Sequence, residues 1–239
     1  MFPRMRPVST TRVDGNPATS RAQDAIRILL IIAAAAEPLP PPAATEHPAA
    51  DRPPDAVAVL ESQVRLQKLD FWVRNPDFLA DELLNEFERH GDLECYRQAA
   101  AILDSDEPHV RRYPMLRFLF GAYESLDDAL AVLTSTGLVV RRKRGSSARV
   151  HRHDYYLTRS GRDAADRILR EEPLFGYFVE RTRFVARLAD GQRGTHLKDR
   201  QYEQEEYRNT MIGEHIGSIA PRVRERLDRY AVVLGVSAS

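Results

Sequence analysis

Residues 123–170 read YESLDDALAVLTSTGLVVRRKRGSSARVHRHDYYLTRSGRDAADRILR. Ser125 with Asp128 three residues later forms a capping box, so a helix is predicted over about 125–136. Leu126, Leu130 and Leu133 fall on one stripe, with Ala129 beside it. Gly137 permits the left-handed turn that ends the helix. Leu138-Val139-Val140 then opens a strand, and Gly145-Ser146-Ser147 is a turn signal between strands of about 138–143 and 149–157. Thr158 or Ser160 caps a following helix whose apolar positions are Ala164, Ala165, Ile168 and Leu169.

Helix, Gly-Leu-Val, hairpin, Tyr-x-Leu-Thr-x-x-Gly, helix: this order resembles the winged helix-turn-helix superfamily, in particular PadR-like and MarR-like bacterial regulators. The residues that carry it are Leu130, Leu133, Gly137, Leu138 and Val139, then Tyr155 or Tyr156, Leu157, Thr158 and Gly161. With the preceding helices it covers roughly 76–170. The resemblance implies a mainly α chain: a winged helix-turn-helix core, a two-stranded β-wing and additional C-terminal helices. It also implies a cytoplasmic transcriptional regulator that binds double-stranded DNA as a homodimer. In such proteins the helix before the wing enters the major groove and the wing reaches phosphate or the minor groove. Other members of the superfamily bind only proteins, so fold does not settle function.

The residues pull in two directions. The candidate groove helix offers Glu124, Asp127 and Asp128 near its start and no Lys or Arg; Ser125, Thr134, Ser135 and Thr136 are its neutral candidates for base contact. The hairpin is crowded with Arg141, Arg142, Lys143, Arg144, Arg149 and Arg152, with His151 and His153 among them and Arg159 and Arg162 just beyond. Alternation sends Arg142 and Arg144 to one face, Arg141 and Lys143 to the other. Three readings stand: phosphate contact, an exposed edge protected by charge, or docking on an acidic surface of a partner subunit or another protein. The second function class is therefore a winged-helix adaptor without sequence-specific DNA binding.

Net charge over the whole chain is zero, from 35 basic and 35 acidic residues. By segment it is not uniform. Residues 76–107 hold ten acidic residues against two basic, and residues 139–170 hold ten basic against three acidic. Such asymmetry suggests two surfaces with different partners, or two that face each other, with 76–107 as a candidate face for a protein partner. The single cysteine, Cys95, excludes an intramolecular disulfide framework and a cysteine-built zinc cage. His151-x-His153-Asp154 lacks a distant ligand set, and its neighbouring cations disfavour a divalent ion. No P-loop, GxGxxG, GxSxG or HExxH occurs, so no enzyme activity, cofactor or metal is expected. No apolar stretch approaches the ~20 residues that span a bilayer, so no membrane partner is expected.

Outside this region the chain divides into a leader (1–55), a winged-helix domain with N-terminal helices (56–170) and a C-terminal helical region (171–239), read as a dimerisation element or a layer completing the core. The leader's Pro and Ala content predicts disorder. Its one apolar run, Ile28–Ala36, has two readings: a signal-peptide core, or part of a leader ahead of a true start near Val57 or Val59. Helices are predicted at about 57–74, 76–90 and 92–104, with Asn75 capping, Pro76 in the first turn and Gly91 ending the second. In the second, Leu79, Leu83, Leu84 and Phe87 face inward and Asp77, Asp81, Glu82, Glu86 and Glu88 face solvent. Met115–Phe120 reads as a short core helix. Further helices are expected at 174–189, 197–217 and from Pro221.

Overall fold

The computed structural model describes residues 21–40, 52–105, 116–118, 121–123, 126–145, 150–171, 176–189 and 209–235. The chain is mainly helical. Its helices are α1 (Arg21–Ala35), α2 (Gln63–Arg74), α3 (Pro76–His90), α4 (Leu93–Asp104), α5 (Asp127–Ser135), α6 (Arg159–Glu171), α7 (Gly176–Leu188) and α8 (Ala220–Leu234). The strands are β1 (Glu37–Pro38), β2 (Ala56–Glu61), β3 (Leu116–Phe118), β4 (Gly121–Tyr123), β5 (Val139–Gly145) and β6 (Val150–Thr158). An antiparallel four-stranded sheet has the order β1-β2-β6-β5, and β3-β4 is a separate hairpin.

The apolar run in the leader is a core helix. Ile28, Leu29, Leu30, Ile31 and Ile32 of α1 are all buried, and each such side chain contributes about 1.5–3 kcal/mol. Five consecutive apolar residues cover the whole circumference of a helix, so α1 must be surrounded. It packs against α5, α6, α7 and α2. Its one strongly polar buried side chain, Arg27, donates from Nε to Asp70 Oδ1 at 2.7 Å, inside α2. Disorder throughout 1–55 is therefore corrected for residues 21–40; residues 1–20 and 41–51 lie outside the described residues. A start near Val57 would remove both α1 and Arg27, one of the two arginines paired with Asp70.

Three further expectations are corrected. Residues 56–61 are a strand, not the first turn of a helix: the strand pairs with β6, Ala58 and Leu60 enter the main core, and Ala56 and Val59 pack with Tyr156 in a second, smaller cluster. Leu116–Phe118, the described part of the short helix expected at Met115–Phe120, is strand β3 paired with β4; a short apolar run carries no decisive period. Among the described residues the element before α5 is thus a strand, β4. On α3, Asp77, Asp81 and Glu82 are buried rather than solvent-facing. Asp77 Oδ2 accepts from Ser218 Oγ at 2.7 Å and from Ile219 N at 2.9 Å, which caps the start of α8. Asp81 receives Arg226 at 2.8 Å and Arg222 at 3.3 Å, and Glu82 receives Arg89 at 3.1 Å.

Asn75 marks the α2–α3 boundary by a different bond from the expected one. Its Nδ2 donates back to Phe71 O at 2.8 Å, closing α2, while Pro76 opens α3. Gly91 ends α3 in the left-handed region, at φ 70°. Phe87 stacks against Tyr96 of α4 and edge-on against Tyr230 of α8, with centroids 5.6 and 5.3 Å away. Val223, Leu227 and Ala231 give α8 its buried stripe, packed on α3 and α4. Most of the helix expected at 197–217 lies outside the described residues; 211–219 is turn and extended chain.

The α5–hairpin–α6 unit has the expected order, but Leu126 stands at the start of α5 without a side-chain cap, and Ser125 of the expected capping box lies outside the described residues. Leu126, Ala129, Leu130 and Leu133 are buried, and Gly137 turns the chain at φ 71°. Thr158 ties the unit together: its hydroxyl donates to Gly137 O at 2.8 Å and accepts from Gly161 N at 3.0 Å, capping α6. A Cβ on Gly161 would sit 2.1 Å from Leu138 O, so this helix meets the strand at a distance only glycine allows.

Candidate functional site

The candidate nucleic-acid interface is the exposed side of α5 with the β5–β6 hairpin. In the hairpin register Arg142 lies opposite Asp154, Lys143 opposite His153 and Arg144 opposite Arg152. Cross-strand pairs share a face, so Arg142, Arg144, Arg152, Asp154 and Tyr156 form the outer face, joined by Glu61 from β2. Arg141, Lys143 and His153 continue the inner face, whose base is the buried Tyr155 and Leu157.

On the outer face Asp154 is the hub. Its side chain is 1% exposed and lies between two arginines: Arg144 Nε at 2.9 Å and Arg152 Nε at 2.7 Å. Arg144 also donates to the Tyr156 hydroxyl, and Arg152 reaches Glu61 at 2.8 Å. On the inner face Arg141 pairs with Asp127 at the start of α5, at 3.5 Å. Arg142 and Lys143 are exposed and form no ion pair among the described residues. Three of the hairpin's described cations are therefore held by three carboxylates of the same chain, and two are not. The positive potential that remains acts on His153, whose basicity is lowered by burial and then by Arg141 and Lys143.

Helix α5 presents the opposite sign. Asp127 and Asp128 are each 72% exposed at its N-terminus, where the helix dipole favours carboxylates. Asp128 pairs with Arg21 of α1 at 3.2 Å. The neutral candidates turn inward chemically: Thr134 Oγ1 donates to Leu130 O at 2.7 Å, Ser135 Oγ to Val132 O at 3.0 Å and Thr136 Oγ1 to Val132 O at 2.8 Å. Each hydroxyl's single proton is thereby bound to the helix's own backbone.

The structure thus brings Arg141, Arg142, Lys143, Arg144 and Arg152 onto one hairpin and sets Thr134 on the helix beside it. Ser125, Arg149 and the turn residues 146–147 lie outside the described residues. Arg162 belongs elsewhere: its Nη1 donates to Ala33 O at 2.8 Å, satisfying a carbonyl at the end of α1. The sequence reading did not assign partners to the cations. Asp154 carried a usable signal, since it stands two residues from Arg152 on a strand; Glu61 and Asp127 are brought in only by tertiary pairing. Among the described residues no helix is long and apolar enough to cross a membrane. No family model, curated protein or solved structure matches the chain.

Proposed function

We propose that this chain is a winged-helix-type protein-interaction module, with α5 and the adjoining hairpin as its contact surface. The reading rests on one observation: Arg141, Arg144 and Arg152 of the hairpin are held by Asp127, Asp154 and Glu61, and the helix beside them presents carboxylates. Phosphate would have to displace those carboxylates and then meet Asp127 and Asp128. A protein surface of mixed charge meets no such conflict. The winged-helix assignment is supported by the passage from α5 through Gly137 into the hairpin and on to the Thr158-capped α6. Among the described residues the hairpin β3-β4, rather than a helix, comes before α5, which departs from it.

DNA-binding regulation is the second reading, favoured by exposed Arg142 and Lys143. It carries the homodimer with it. Because the buried stripe of α8 lies on α3 and α4 of the same chain, a dimer through that helix would use its other side, where Val232 and Val233 are exposed. Affinity capture from the native extract separates the readings. The first expects a stoichiometric protein that is lost with the double variant Asp127→Lys, Asp128→Lys. Co-eluting duplex DNA that nuclease removes, with no such protein, overturns it.

A further inference from the structure

We infer that a cleft between α1, β1 and α7 is a binding site for a small oxyanion, a carboxylate or phosphate carried by a small molecule. The site stands apart from α5 and the hairpin and from either reading of them. Its volume is about 370 Å³, near the lower end for small-molecule pockets and too small for a folded partner. The alanines that end α1, with Ala186 of α7, form its apolar walls, so no long side chain fills it.

Three guanidinium groups line it: Arg65 from α2, and Arg183 and Arg187 one turn apart on α7. Spacing of four residues places the last two on the same helix face. Arg65 is buried, with a side chain only 9% exposed, and its Nε has no hydrogen-bond partner among the described residues. Nε itself is sealed from solvent, so the side of the guanidinium turned to Glu37 is where an oxyanion would accept. Arg183 and Arg187 form no ion pair among the described residues, and Arg187 rests over the Phe184 ring at 5.8 Å.

One carboxylate lines the same cleft. Glu37 accepts from Arg65 Nη1 at 3.2 Å, yet its side chain is 71% exposed on a two-residue strand. It is an internal competitor for the site, easily displaced into water. Arginine forks bind carboxylate and phosphate in the same bidentate way, so both share this chemistry. The adverse end of the α1 dipole is partly answered by Arg162 on Ala33 O.

Isothermal titration of the full chain at low salt with inorganic pyrophosphate, and separately with succinate, tests the site. At least one is expected to bind saturably with a Kd at or below about 1 mM; which one identifies the phosphate or the carboxylate source. Arg183→Gln with Arg187→Gln changes exposed positions, and its folding is checked by circular dichroism. It is expected to weaken binding at least about tenfold. Glu37→Gln removes the competitor and is expected to tighten binding severalfold. Binding weaker than about 1 mM for both anions, affinity retained in the arginine double variant, or affinity unchanged or reduced in Glu37→Gln would each overturn the inference.

Discussion

Helix α3 carries half of the acidic block and the β5–β6 hairpin more than half of the basic one, and the fold treats them differently. On α3, Asp77, Asp81 and Glu82 are buried, and partners for the first two arrive from the far end of the chain, at Ser218, Arg222 and Arg226. On the hairpin the neutralising carboxylates are local or nearly so, and the arginines they hold remain between a third and half exposed. The acidic block is therefore an internal cement between α3 and α8, and the basic block is a surface largely neutralised in place. Net charge summed along a segment measured neither. Residues 171–239 sum to zero, eleven basic against eleven acidic, which conceals Arg222 and Arg226, the cations of α8 that answer α3.

The sharpest way to break this comparison is to remove one hub from each side. Asp81→Ala leaves Arg222 and Arg226 facing a half-buried gap, and a loss of about 2–4 kcal/mol in unfolding free energy is expected by urea denaturation. Asp154→Asn leaves Arg144 and Arg152 where water can reach them. A smaller loss of about 1–2 kcal/mol is expected, together with a gain in affinity for a phosphate polyanion such as heparin-free duplex DNA. Equal losses in the two variants would mean that the two blocks are alike.

Smaller effects come from two groups that sense the residual field. His153 is half-buried near Arg141 and Lys143, and burial with those cations keeps it below its ordinary value of 6.5. The unfolded chain takes up this proton first as pH falls, so the histidine's contribution is present above 6.5 and is lost as pH drops toward the folded value. NMR titration of the imidazole should show the lowered value, and Lys143→Gln should raise it. Cys95, at the start of α4, reports the opposite sign. Burial, then Asp92, Glu86 and Glu94, pushes its thiol up to about 11. Alkylation at pH 8 should run roughly a hundredfold slower than for an ordinary thiol, because the thiolate is the nucleophile. A normal rate would place Cys95 outside the acidic field.

Much of the fold was legible where local rules agree. The α5 stripe, the Gly137 turn, both hairpin strands and the Thr158 cap follow from period, glycine and capping chemistry within a few residues of each other. Elements failed where the deciding information is distant. The Ile28–Ile32 run has no amphipathic face to read, and it becomes a core helix through α2, α5, α6 and α7 packed around it. Ala56–Glu61 becomes a strand because β6 lies beside it. The acidic stripe of α3 looked solvated because residues three and four apart were judged without α8. For the site, the cations were visible in the sequence, but their neutralisation depends on Glu61 and Asp127, which only folding brings close.

The central claim, that the hairpin is not a phosphate-binding wing, is tested most directly by equilibrium binding to a random-sequence DNA duplex across a salt series. Arg142 and Lys143, with Arg149 outside the described residues, can neutralise few phosphates. The expected result is weak binding seen only at low salt, with a log–log slope no steeper than about −3. Tight binding with a slope near −5 or steeper, abolished by Arg142→Ala with Arg144→Ala, would contradict it.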